Sequence, residues 1–195
     1  MNGIALVISG PAGVGKTTLC DRLLLDFNPI LCRVITVTTR KPRKDEVDGK
    51  DYIFKTNTEF DDLKRNNSFL EYAKVHDNQY GSLNESVLQL LEKNHDVLLN
   101  IDVQGAASLK KLESNLGYLQ ERIRSIFIMP ESMKDLKNRL ENRGQDSEEE
   151  IQIRLKTAAN EITLNNQFDH IIHSKSKDED YGALLKIYKK HSKFY

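Results

Sequence analysis

Ile4-Ala5-Leu6-Val7-Ile8-Ser9-Gly10-Pro11-Ala12-Gly13-Val14-Gly15-Lys16-Thr17-Thr18 is the stretch that decides the fold. Its first five residues form an unbroken apolar run, the pattern of a strand buried on both faces in a parallel sheet. From Thr17 to Phe27, Leu19, Leu23 and Phe27 recur every four residues, which predicts an amphipathic helix. Strand, glycine-rich turn and helix together open an α/β fold. The turn, Gly10 to Thr17, fits the pattern G-x-x-x-x-G-K-[ST]. Glycines in that pattern let backbone N–H groups wrap phosphate oxygens, and the helix start adds its positive dipole end. Lys16 is expected to reach the β- and γ-phosphates, and Thr17 to offer its hydroxyl to Mg²⁺. With a strand before it and a helix after it, the loop predicts a nucleoside triphosphate site running through Gly10, Pro11, Ala12, Gly13, Val14, Gly15, Lys16, Thr17 and Thr18.

Further α/β units follow outward from this one. Val97–Asp102 reads as a strand, followed by Gln104-Gly105 and a helical stretch Ala106–Leu112. Ile126–Met129 is a third strand, stopped by Pro130, and Phe168–His173 a fourth, with a closing helix over Asp180–Lys190. Residues 34–82 differ in character: Thr- and Tyr-rich alternating stretches (Val34–Thr39, Tyr52–Phe54, Phe69–Val75) surround one short helix near Thr58–Asn66, the pattern of a small mixed β insertion. Residues 131–165 are helical and highly charged. Ser132 and Ser147 each begin a helical pattern, Ser147 with Glu150 forms a capping box, and Gly144-Gln145-Asp146 reads as a mobile tip between the helices.

Composition narrows the classes. The 195 residues suit one domain, and 29 Lys+Arg against 29 Asp+Glu leave no basic excess of the kind a general nucleic-acid binder carries. Cys20 and Cys32, without C-x-x-C spacing, read as free thiols of a reducing compartment. No segment approaches the ~20 apolar residues of a membrane span, so a cytoplasmic protein is expected.

A phosphate loop alone does not separate a kinase from an ATPase, a GTPase or a motor; the Asn/Thr-Lys-x-Asp motif usual in GTPases does not occur here. Thr36-Val37-Thr38-Thr39-Arg40-Lys41-Pro42-Arg43 leads to Glu46-Val47-Asp48-Gly49-Lys50-Asp51-Tyr52, then Phe69-Leu70-Glu71-Tyr72-Ala73, Asn78-Gln79-Tyr80-Gly81-Ser82 and Ile101-Asp102-Val103-Gln104-Gly105. Arg40 and Arg43 flank Pro42, so a turn there must bring the two guanidinium forks together before they share a phosphate with Tyr52 and Tyr80. Otherwise they form a solvated basic patch balanced by Asp45, Glu46 and Asp48. Taken as a set, and in order along nearly the whole chain, these blocks resemble the guanylate kinase family, enzymes that move a phosphoryl group from ATP to GMP.

The resemblance implies a three-layer P-loop kinase: a core of residues 1–33, 83–130 and 166–195, a GMP-binding insertion of residues 34–82, and a helical lid of residues 131–165. It implies that Arg40, Arg43, Tyr52 and Tyr80 hold the acceptor phosphate. Glu71 would read guanine through N1–H and the 2-amino group, with Thr36 and Ser82 near O6. It places Asp102 against the acceptor nucleotide, close to the water shell of an Mg²⁺ held by Thr17 and Asp102. It makes Arg139, Arg143 and Arg154 lid arginines that join Lys16 in neutralising the migrating phosphoryl group; salt bridges to Glu141 or Glu148–Glu150 are the alternative.

Two departures stand out. Asn100 occupies a position that is acidic in many guanylate kinases, and His173-Ser174-Lys175 replaces a V-N-D-like segment near the adenine. His170 and His173, three apart in a strand, face opposite ways and do not share a metal. The expected partners are ATP and GMP, with dGMP open, no nucleic acid and no membrane; monomer and homodimer both fit. A kinase of another small phosphate acceptor, such as a ribose phosphate, and a non-enzymatic guanylate-kinase-like interaction module are the rival readings.

Overall fold

The computed structural model describes residues 3–75, 77–112, 117–119, 121–144 and 146–194, with the side chains of residues 111, 112 and 143 outside that description. Strand β1 (Ala5–Ser9) lies at the centre of a five-stranded sheet. Its neighbours are β7 (Asp96–Asn100) and β8 (Ile123–Met129), and the edges are β2 (Leu31–Arg33) and β9 (His170–His173). The order is β2-β7-β1-β8-β9 and every pairing is parallel.

Alternation along β1 divides the core into two faces. Ile4, Leu6 and Ile8 point one way, into a cluster with Leu19, Cys20, Leu23 and Phe27 of helix α1 (Lys16–Phe27) and with Tyr181, Leu184 and Tyr188 of the closing helix α7 (Lys177–His191). Ala5 and Val7 point the other way, towards Val87 and Leu91 of α3 (Asn84–Glu92) and Ala106 and Leu109 of α4 (Val103–Leu112). Helices on both faces of a parallel sheet make the three layers, and each fully buried aliphatic side chain contributes about 1.5–3 kcal/mol. The edge strand β2 and helix α3 were not among the expected elements. β2 has only three residues and α3 follows a strand without a polar N-cap, so neither announces itself in the sequence.

The insertion forms its own four-stranded sheet, β4-β3-β6-β5, from Ile53–Phe54, Val37–Thr38, Asn78–Leu83 and Phe69–Val75. Its helix α2 (Asn57–Arg65) starts one residue earlier than expected because Thr56 and Glu59 form a capping box. Helices α5 (Met133–Arg143) and α6 (Glu148–Ile162) are the charged pair, capped by Ser132 and by the expected Ser147–Glu150 box. Gln145, the middle of the expected break between them, lies outside the described residues.

Two remote segments, one at Ile4 and one at the Tyr188 to Ser192 end of α7, converge on the fully buried Asp96 at the start of β7. Its carboxylate accepts from Ile4 N at 2.8 Å, Tyr188 Oη at 2.8 Å and Ser192 Oγ at 2.6 Å. Asp96→Ala strands all three donors away from the cleft, and a loss on the order of 3 kcal/mol is expected by urea denaturation.

Candidate active site

The carboxyl ends of β1 and β7 open into one cleft of about 530 Å³, within the usual range for a small-molecule site. The glycine-rich loop forms its floor. Gly15 is the N-cap of α1 at φ 107°, and Gly10, at φ 141°, has no room for a Cβ because Ile128 O would stand 2.5 Å from it. Both positions therefore require glycine, which leaves the loop N–H groups and the α1 N-terminus facing the cleft. Lys16 Nζ donates to Gly10 O at 2.6 Å and Pro11 O at 2.9 Å, folding back over the loop. Burial pushes its ammonium below the ordinary lysine value, with Glu161 first among the groups that pull it back. Thr17 and Thr18 are exposed in the cleft, while Pro11 and Val14 are buried beneath it.

Opposite the loop, Thr36, Arg40, Arg43, Tyr52 and Tyr80 line the same cleft. The turn at Lys41-Pro42 does bring both arginines to it, but they share an internal partner. Arg40 Nη2 pairs with Glu46 Oε1 at 2.7 Å, and Arg43 N donates to Glu46 Oε2 at 2.8 Å. Burial alone lowers the Arg40 value, yet the Glu46 contact outweighs it and holds the guanidinium above its ordinary range. Tyr52 lies under Arg40, 5.2 Å from ring centre to guanidinium carbon, and Tyr80 meets Tyr52 edge-on at 6.2 Å. The acidic balance anticipated for this segment is thus real, and it pre-positions Arg40.

Glu71, on β5, is buried at 5% exposure beside Ser82 of β6, which is fully buried. Ser82 Oγ donates to Glu71 Oε1 at 2.7 Å, and no cation lies within ion-pair distance of the carboxylate among the described residues. Burial raises the Glu71 value to about 7; the Ser82 bond opposes the shift and Asp102 adds to it. Asp102 stands just before α4, where its Oδ1 accepts from Gln104 N at 2.7 Å and Gly105 N at 2.9 Å. One oxygen is therefore spent as a helix cap.

The charged helices contribute unequally. Arg139 lines the cleft, where its Nη1 donates to Val14 O at 3.1 Å and its Nε pairs with Asp135 at 2.7 Å. Arg154 is held instead by Asp146 at 2.8 Å and is not among the cleft-lining residues. The Arg143 side chain lies outside the described residues. One group was missed altogether: Glu161, near the end of α6, lines the cleft with Lys16 and Asp102, and burial raises it to about 7. A lone Glu on a polar helix carries no sequence signal of this kind.

Thr17, Asn100, Asp102 and Glu161 all face the cleft and offer only oxygen, the donor type Mg²⁺ takes. Among the described residues no three His, Cys, Asp or Glu side chains cluster as a protein-only metal site. Mg²⁺ that arrives with phosphates needs only one or two protein oxygens and keeps several waters, so the residues fit that ion.

The guanylate kinase family model matches residues 3–191. The chain belongs to the guanylate kinase family. A guanylate kinase of Rickettsia felis is 44% identical over 185 residues, covering 94% of this chain and 90% of the relative. One from Caldanaerobacter subterraneus subsp. tengcongensis is 42% identical, covering 87% and 79%. The crystal structure of guanylate kinase from Anaplasma phagocytophilum superposes with a TM-score of 0.77 at 32% identity, covering 98% of this chain and 87% of that one. As in other P-loop architectures, the loop and the carboxyl ends of the parallel strands define the cleft. No helix among the described residues is long and apolar enough to cross a membrane.

The two raised carboxyls weaken the fold as pH rises. Between the ordinary value near 4.5 and about 7, the folded state holds more protons than the unfolded one, so stability falls with pH across that window. Glu71→Gln, which keeps an acceptor for Ser82, is expected to raise stability at pH 8 by on the order of 2 kcal/mol and to change little below pH 4.5, as read by thermal melts.

Proposed function

We infer that the chain, as a guanylate kinase, transfers the terminal phosphoryl group of ATP to GMP, with the two nucleotides entering the one cleft from opposite sides. The observation that carries this reading is the pairing, across about 530 Å³, of a phosphate loop with a buried, cation-free carboxylate at Glu71. A carboxylate accepts from N1–H and the 2-amino group of guanine together, and adenine has no such donor pair. The same site explains why a base-free acceptor is disfavoured: it would leave Glu71 buried and unpaired.

The loop N–H groups and Lys16 hold the donor phosphates, and Lys16 leaves the Gly10 and Pro11 carbonyls to do so. Arg40, Arg43, Tyr52 and Tyr80 hold the acceptor phosphate, with Arg40 already oriented by Glu46. Thr36 and Ser82 border the base. A second, smaller cavity beside Gly13–Gly15, bordered by Lys175 and Lys177, suits the donor base. There Ser174 Oγ and Lys175 N both donate to Asp180, so that carboxylate is already engaged. Mg²⁺ would be held by Thr17 and Asp102 through oxygen or water, and when bound it neutralises charge on the β- and γ-phosphates. Arg139 stands at the loop and is placed to meet the migrating group, whereas Arg154 and Arg143 would join it through lid closure over residues 131–165. In-line transfer then asks the protein for positioning and charge, with no side-chain nucleophile.

Coupled ADP release with GMP, AMP, UMP and ribose phosphates as acceptors tests the reading directly. GMP-dependent turnover well above the others is expected, and its absence would overturn it. Two variants test the division of roles. Glu71→Gln should raise the GMP KM roughly tenfold or more with a smaller change in kcat, while Lys16→Met should lower kcat on the order of 100-fold. Equal effects on both parameters from both changes would contradict the assignment.

A further inference from the structure

Gly105, in the first turn of α4, has an ordinary helical position and no positive φ that would demand glycine. Helix propensity alone favours alanine there. Its surroundings argue the opposite. A Cβ at this position would stand within 3.0 Å of Glu71 Oε2, closer than real Cβ contacts come, and 3.2 Å from Glu71 Cδ. The next group is Asp102 Oδ2, at 3.7 Å, an ordinary contact. The one group that must give way is therefore the Glu71 carboxylate.

We propose that Gly105 is a positioning residue for acceptor-base specificity: its missing side chain is the space into which the Glu71 carboxylate fits. The inference rests on the reading of Glu71 as the guanine-binding group. The contact is made by the far end of a side chain, so the backbone need not move and the helix can form. What moves is a carboxylate that Ser82 otherwise fixes through a 2.7 Å hydrogen bond. Restoring ordinary van der Waals separation takes a displacement of about 1 Å, enough to spoil the alignment of the carboxylate with the N1–H and 2-amino donors, and hydrogen bonds weaken steeply once misaligned. Two of the three atoms nearest to a Cβ at position 105 belong to Glu71, and the third, Asp102 Oδ2, is at ordinary contact distance. The effect is accordingly expected first at the acceptor base.

Calorimetric titration of GMP, IMP and a non-hydrolysable ATP analogue into wild type, Gly105→Ala, Glu71→Asp and the double variant tests this. IMP keeps N1–H but lacks the 2-amino group, so the GMP/IMP ratio reports the carboxylate's placement. Gly105→Ala is expected to weaken GMP at least tenfold, to collapse the GMP/IMP preference and to leave the ATP analogue's affinity unchanged. Aspartate at position 71 withdraws the carboxylate by one methylene, so Glu71→Asp/Gly105→Ala should bind GMP as well as Glu71→Asp alone. If Gly105→Ala does not fold because it meets the Glu71 carboxylate, the double variant, in which that carboxylate is withdrawn, should fold. A double variant that is also unfolded would overturn the proposal. Unchanged GMP affinity in Gly105→Ala, equal losses for GMP and the ATP analogue, or multiplicative losses in the double variant would overturn the proposal. Wild type that fails to bind GMP at all would instead sink the reading of the cleft on which it rests.

Discussion

A carboxylate buried without a cation is the constraint around which the acceptor side of this protein is arranged. Glu71 has a hydroxyl from Ser82 and a glycine at position 105 for its neighbours, and among the described residues no cation that neutralises its charge. Burying a carboxylate in that way destabilises a fold, and its raised value is the direct sign of the cost. The same holds across the cleft. Lys16 is half-buried and among the described residues donates only to the Gly10 and Pro11 carbonyls, and the Glu161 carboxylate has no hydrogen bond or ion pair among them. None of these three groups has an ion-pair partner among the described residues, and all face one cavity. On the proposed function, phosphates would complement the lysine, base N–H donors Glu71, and a hard cation the oxygen donors. The ligands would then complete an arrangement that the chain leaves open, as proteins do where function outweighs stability.

Topology delivers these groups to one place. A parallel sheet sends every carboxyl end to the same side, so the loop after β1 and the Ile101-Asp102 segment that follows β7 lie adjacent without any special contact. The insertion then carries Glu71 and the two arginines back over that edge. A chain with 29 cations and 29 anions can still present a cleft built for phosphates in this way. Part of the phosphate load falls on loop N–H groups, which carry no formal charge, and Arg40 is balanced locally by Glu46.

Much of this is legible in the sequence because the signals are local. The Ile4–Ile8 run, the glycines at 10, 13 and 15, and the Ser147–Glu150 capping box each act within a few residues, and each has its expected form. What sequence cannot register is proximity between remote residues. Gly105 reads as one glycine opening a helix, and its significance lies in a side chain thirty-four positions earlier. Glu161 reads as surface on a charged helix until α6 lays it beside Lys16. The lid arginines illustrate the same limit. Spacing puts Arg139 and Arg143 on one face, but only the fold shows Arg139 at the loop and Arg154 engaged by Asp146.

The central claim is that Glu71, raised by burial to about 7, waits for donors that GMP supplies. Calorimetry of GMP binding at pH 7 in buffers of different ionisation enthalpy measures the protons exchanged. Bound guanine should hold Glu71 as the carboxylate, so wild type should release measurably more protons than Glu71→Gln does under the same conditions. Identical proton exchange in the two proteins would contradict the account.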